Sequence, residues 1–167
     1  GYLNQRMPNP VSARFLEIQD KLFWAETVEN GIVSLSSLEF DRGIALWQGD
    51  ITRLAADAVV NAANSALLGC FIPHHKCIDN VIHSRAGVQL RLDCSRIMGM
   101  QGEPEPAGCA KITLGYNLPA KYVIHTVGPM VGVKPTETDA RTLRNCYVSC
   151  LNLAREMNLK SIAFCCI

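Results

Sequence analysis

The sequence predicts an α/β fold in which a largely parallel sheet carries helices on both faces. Short apolar segments of strand length alternate with longer segments of helical period. The strand-like segments are bounded by Gly, Pro and Asn, the residues that punctuate turns. Residues 161–167 form a nearly unbroken apolar run after Ser161, the pattern of a strand covered on both faces.

Along the chain, Val11, Phe15, Leu22 and Phe23 recur near helical spacing among charges, which predicts an amphipathic helix over 11–27, packed on the outside of the main fold. A weaker segment, 33–42, follows. Strands are expected at 44–48, 58–61, 112–116 and 122–127, the last two divided by the turn 117–120. One helix is expected over 79–98, with Ile82, Ala86 and Leu90 at four-residue intervals and Asp79 placed to cap its start. Another is expected over 138–158, with Leu143, Tyr147, Cys150, Leu151 and Ala154 on one face.

With 167 residues, 49% of them apolar and 19% charged, the chain is long enough for one domain with a substantial core. The formal net charge is +1 and no basic run is present, which argues against a dedicated nucleic-acid binder. No apolar run approaches the roughly 20 residues that cross a bilayer, so no membrane partner is expected. The first ten residues do not read as a signal peptide, and a cytoplasmic protein with reduced thiols is expected. Of the eight cysteines, Cys94, Cys109, Cys146, Cys150, Cys165 and Cys166 read as small core residues. His83 and His125 read as structural histidines.

Two polar loops follow strand segments. Asp50, in the turn after 44–48, suits a hydrogen bond from an amino group such as that of adenine, or simply caps the next segment. Asn61 and Asn64, with only alanines between them, offer donors and acceptors for sugar hydroxyls without adding charge, or form an Asx-type turn. Next comes CFIPHHKC at 70–77, which places two cysteines and two histidines within eight residues. Thiolate sulfur and imidazole nitrogen are zinc donors. All four could close a structural site, or three could leave a position open for water or substrate, the mark of a catalytic zinc.

Four stretches together carry a family resemblance: QGDIT at 48–52, VNAANS at 60–65, IHSRAG at 82–87 and YNLPAKYVIHTVGP at 116–129. In this order and spacing they resemble the macrodomain family, over residues 44–167. The resemblance implies a three-layer α/β/α sandwich with a mixed, largely parallel central sheet, and leaves 1–43 as an N-terminal helical extension packed on the domain. It implies binding of ADP-ribose, with Asp50 on the adenine, Ile51 beside it and Asn64 on the distal ribose. Macrodomains usually place a short glycine-rich loop between the asparagine motif and a Val/Ile-Asp step. This sequence keeps the step as Ile78-Asp79 but replaces the glycines with the Cys/His loop.

The replacement resembles the zinc-containing macrodomain subclass, which shows the same Cys-x4-His-x-Cys pattern. That resemblance implies one zinc ion held by Cys70, His75 and Cys77, with His74 as the rival to His75. It implies a zinc-dependent hydrolase that removes mono-ADP-ribose from modified proteins, with acidic side chains as attachment points. Asn64 and Asp79 are then the catalytic candidates, Asp79 as base or substrate-orienting carboxylate, kept ionised by the start of its helix. The subclass is associated with a lipoyl-carrier protein and a sirtuin-type ADP-ribosyltransferase. The rival readings are an ADP-ribose reader without hydrolysis, an O-acetyl-ADP-ribose deacetylase, and an interaction domain with a structural zinc loop. A second, glycine-rich phosphate loop is expected just beyond the strand at 161–167.

Overall fold

In the computed structural model, which describes residues 2–167, the sheet forms around the segments with the most β-branched and fully buried residues. In chain order the elements are α1 (Tyr2–Gln5), α2 (Ala13–Asn30), β1 (Ala58–Ala63), α3 (Ile78–Ala86), α4 (Val88–Gln101), β2 (Ala110–Leu114), β3 (Tyr122–Val127), α5 (Glu137–Glu156) and β4 (Ile162–Ala163). The strand order is β2-β3-β1-β4. β1 runs parallel to both β3 and β4, whereas β2 and β3 are antiparallel. The sheet is therefore mixed, as the resemblance implied.

The two-residue period of a strand sends alternate side chains of β1 into opposite layers. Val59 packs with Val123 against Ile82, Ala86 and Leu90 of α3 and α4. Ala58 and Val60 pack with Ile124 against Cys150 and Ala154 of α5. These two apolar clusters make the three layers. The same alternation puts Asn61 and its register partner His125 on the α3/α4 side, where the rest of the functional region lies.

Several expectations change. Residues 44–48 form no strand; Asp41 and Ile44 make an isolated bridge, and Ile44 and Leu46 are exposed. An apolar run of strand length does not supply its pairing partner, and beyond that bridge none lies beside this segment among the described residues. The segment 33–42 holds a 3₁₀ turn, Leu35–Ser37, and Val33 bridges Leu54. The final apolar run pairs over two residues only and is half-buried there. Cys146, Cys150 and Cys94 are core residues, but Cys109 and Cys166 are exposed and Cys165 is half-buried. On α5, Cys146 replaces Tyr147 and Leu151 on the buried face, and a Thr136/Asp139 capping box starts the helix.

The helix expected over 79–98 is two helices. Gly87 separates them at φ 98, ψ 179, a conformation open essentially to glycine alone. Gly87 also lies under α2: a Cβ there would stand 2.6 Å from Gln19 Nε2. α2 docks through polar groups rather than the apolar stripe the sequence suggested. Gln19 accepts from the Val88 N–H (3.0 Å) and donates to Gln89 Oε1 (2.6 Å). Asp20 accepts from Asn117 Nδ2 and from Gln89, while Leu22 is exposed. Those amide bonds hold the carboxyl of Asp20 below the usual range against its partial burial.

Gly87→Ala is expected to cost about 1–3 kcal/mol, because it forces a side chain into a glycine-only conformation and against the Gln19 amide. Chemical denaturation measures the loss. Gly99→Ala, at a helical site with open space for a Cβ, is the contrasting variant and should stabilise or leave the protein unchanged.

Candidate active site and metal centre

The site is built where β1 ends and α3 begins. Asn61, inside β1, is fully buried, and Asn64 follows the strand. Asp79, the second residue of α3, is 5% exposed. Asn61 Nδ2 donates to Asp79 Oδ1 at 2.8 Å, and Asn64 Nδ2 donates to Asp79 Oδ2 at 3.2 Å. Each carboxylate oxygen thus accepts one amide from the NAAN segment. The second Nδ2 hydrogen of Asn64 goes to Gly69 O at 3.0 Å, and its Oδ1 accepts the Ala66 N–H at 3.0 Å. The Asx turn and the site role therefore belong to the same residue. One lone pair of Asn64 Oδ1 stays free for a hydroxyl donor.

Burial raises the pKa of Asp79 above the usual range, although Asn61, Arg91 and Asn64 all pull it down. Loss of water outweighs the amide donors at this depth. A carboxylate so shifted is a stronger base than an exposed one. Asp79 does not make the cap expected of it at the start of α3. Cys77 does, its Sγ accepting from Asn80 N at 3.4 Å.

The Cys/His loop bulges between Asn64 and Asp79. It brings the donor atoms of Cys70, His75 and Cys77 within 4.8 Å of one another. Cys70 Sγ and His75 Nδ1 lie 3.6 Å apart. Zinc–sulfur and zinc–nitrogen bonds of about 2.3 and 2.0–2.1 Å at a tetrahedral angle require roughly that separation. Two soft sulfurs and an imidazole at this spacing fit a zinc ion. Both cysteines are half-buried and His75 is exposed. His74, exposed and at φ 57, is not among the three. Burial, aided by Cys70 and Asp79 nearby, pushes the Cys77 thiol up, a cost that a bound cation would offset.

Asp50 caps a 3₁₀ turn, Ile51–Arg53, with Oδ1 accepting from Thr52 N (3.0 Å) and Thr52 Oγ1 (2.6 Å). Its capping role is present, and it remains exposed. Ile51 packs on the same apolar cluster as Ile78, which brings the turn beside the start of α3.

A family model described as Macro domain matches residues 60–167. The chain belongs to the Macro domain family. It is 51% identical over 170 residues to a Treponema medium protein named protein-ADP-ribose hydrolase, covering 99% of this chain and 65% of that protein. It is 50% identical to a protein of the same name from Staphylococcus aureus strain MRSA252, covering 100% of this chain and 64% of that one. This macrodomain thus spans a little less than two thirds of these relatives' length. Among solved structures it resembles a Trypanosoma brucei macrodomain in complex with ADP-ribose, with TM-score 0.71 and 33% identity over 95% of this chain and 70% of that one. An Oceanobacillus iheyensis macrodomain with ADP gives TM-score 0.62 and 38% identity over 70% of this chain and 59% of that one.

Beneath Asp79 the macrodomain buries His83, His125 and Cys94, with donor atoms within 4.8 Å of one another. His125 already uses both nitrogens: Nδ1 lies 3.2 Å from Asn61 Nδ2 and Nε2 lies 2.9 Å from Thr113 Oγ1. Since Asn61 Nδ2 can only donate, Nδ1 accepts and the proton sits on Nε2. Burial pushes His125 down to about 4 and His83 well below its ordinary value, and pushes Cys94 up to about 12. All three are therefore neutral core groups at neutral pH, as the sequence reading had the histidines. His83 Nε2 is 3.6 Å from Asp79 Oδ1, too far for a hydrogen bond.

The two depressed histidines make stability pH-dependent. Their unfolded forms take up protons near pH 6.5, where the folded forms do not. The His125 contribution is full above about pH 6.5 and is lost as pH falls toward about 4, and that of His83 falls in the same direction. Denaturation free energies measured between about pH 4.5 and 6 should fall with acidification. The slope in His125→Gln should be shallower by about 1.4 kcal/mol per pH unit, one proton's worth.

Proposed function

We propose that this macrodomain is the zinc-dependent catalytic domain of a hydrolase that removes mono-ADP-ribose from modified proteins, with acidic side chains as attachment points. The observation that carries the reading is the juxtaposition of three zinc-type donors, Cys70, His75 and Cys77, with a buried carboxylate, Asp79, clasped by Asn61 and Asn64. The name and activity of the relatives, and the ADP-ribose complex of a structural neighbour, support the substrate class.

In this reading the turn at Asp50 and Ile51 holds the adenine end. Backbone N–H groups at the start of α3 hold the diphosphate, where a helix N-terminus favours anions. The free lone pair of Asn64 Oδ1 accepts a hydroxyl of the distal ribose. Asp79, made more basic by burial, takes a proton from the attacking water at one of its carboxylate oxygens. Asn61 keeps that carboxylate from rotating. Cys70, His75 and Cys77 would hold a zinc ion, which would supply Lewis acidity to the reaction. The lipoyl-carrier and sirtuin-type partners that the zinc-containing subclass implies belong to the same proposal.

The test uses Cys77→Ser and Asp79→Asn. Serine retains an N-cap oxygen for α3 but supplies no thiolate. Cys77→Ser should melt near wild type, lose its zinc by elemental analysis and lose hydrolysis of mono-ADP-ribosylated protein. Asp79→Asn should keep zinc and lose about 100-fold or more of kcat. Full activity in zinc-free Cys77→Ser would sink the metal reading. Calorimetric binding of ADP-ribose by wild-type protein that releases none from a modified substrate would identify a reader instead.

A further inference from the structure

Asn80 touches both ends of the Cys/His loop. Its backbone N–H donates to Cys77 Sγ at 3.4 Å. Its side-chain amide donates to Cys70 O at 3.3 Å and to Ile72 O at 2.9 Å. Every N–H of this residue is thus spent on the segment that carries the two cysteine donors. Its Oδ1 accepts from Asn4 Nδ2 at 2.6 Å, a partner 76 positions earlier in the chain. Ser84 Oγ lies within hydrogen-bond distance of Asn80 O at 2.7 Å, of Asn80 Oδ1 at 3.3 Å and of Asn4 Oδ1, acceptors that share its one proton. Asn4 and Asn80 are each 5% exposed, so neither amide can exchange its partner for water without opening the structure.

Arg91 repeats the arrangement at the loop's entry. Its Nε donates to Leu68 O at 2.7 Å, and its Nη1 donates to Leu3 O at 3.2 Å and Arg6 O at 2.6 Å. The guanidinium carbon stands 4.4 Å from the centre of the Phe71 ring, a cation–π distance. The N-terminal segment and the Cys/His loop therefore share two buried polar hubs. Removing the segment's groups would leave Asn80 Oδ1 only the longer Ser84 Oγ contact at 3.3 Å and strand two guanidinium hydrogens in a dry environment.

We infer that Asn4, acting through Asn80, is a positioning residue for the metal loop: the N-terminal segment sets the backbone of residues 70–77 before zinc arrives, and so raises zinc affinity. The role presupposes the zinc reading of Cys70, His75 and Cys77. An outer ring of hydrogen bonds that fixes ligand geometry changes metal affinity by about 10–100-fold. It does so because the loop's ordering entropy is met on folding rather than on binding. Asn4 lies outside the ligand set, and its contribution passes only through Asn80 and Ser84.

The experiment measures zinc affinity of wild type, Asn4→Ala and Gln5→Ala by competition with a chromophoric chelator. Hydrogen exchange over residues 70–77 is followed in the metal-free proteins. Asn4→Ala should bind zinc about tenfold more weakly and exchange faster in 70–77 but not in β1 or β3. Gln5→Ala, at an exposed neighbouring position, should match wild type. If Asn4→Ala folds poorly, the isosteric Asn4→Asp asks the same question: it keeps the Ser84 hydroxyl but turns an acceptor toward Asn80 Oδ1, and should weaken zinc at least as much. Wild-type affinity in the Asn4 variants, or an equal loss in Gln5→Ala, overturns the inference and leaves the zinc reading intact. Wild-type protein that takes up no zinc overturns both.

Discussion

The carboxylate of Asp79 is the constraint on which the rest of the site depends. It lies at 5% exposure with one asparagine amide on each oxygen. A buried carboxylate without donors would be strongly destabilising, so the NAAN segment and the start of α3 must meet. That meeting fixes α3 against the end of β1. It also places Cys77 two residues before Asp79 and holds Gly69, through Asn64, just before Cys70. The Cys/His loop is then a short bulge with both ends pinned, which is why three donors scattered over eight residues converge.

The hydrogen bonds that hold the carboxylate come from groups that carry no charge, with Arg91 acting on it only through space. Asn61 spans Asp79 and His125, and His125 spans Asn61 and Thr113. Burial keeps the imidazole unprotonated, so its Nδ1 remains an acceptor and the Asn61 amide keeps its nitrogen toward both partners. A protonated His125 would present a donor to Asn61 and turn the amide around, taking a donor from Asp79. The low proton affinity of the core is thus part of how the carboxylate is held.

The elements most legible in the sequence were those fixed by local chemistry. The Cys70, His75 and Cys77 set was readable because its donors sit within one loop, and β1 and β3 were readable because their apolar residues are buried on both faces. What was not legible depended on distant partners. Residues 44–48 read as an apolar run of strand length, yet pairing is a property of two segments, and among the described residues this run has only the isolated Asp41–Ile44 bridge. Leu22 has an apolar side chain and α2 an ordinary period, but α2 lands on Gln89, Val88 and Asn117 through its amides and its carboxylate. Only Gly87 gave a local hint that the long helical pattern would break, and a glycine within such a pattern is ambiguous without its φ.

The same distinction separates the three zinc-type donors from the residues that surround them. A ligand set is defined by donor chemistry and spacing along the chain, so it can be read from one dimension. The hubs at Asn80 and Arg91 are defined by which backbone carbonyls they reach, and those belong to residues 3, 6, 68, 70 and 72. Asn and Arg are suited to the task because each offers several donors in a fixed plane, enough to join three strands of chain at one point. Nothing in the string of residues marks Asn80 as different from any asparagine near a helix start. Its neighbour Asp79 holds the carboxylate, but Asn80 hydrogen-bonds both ends of the loop that carries the two half-buried cysteines, and that arrangement exists only in the folded chain.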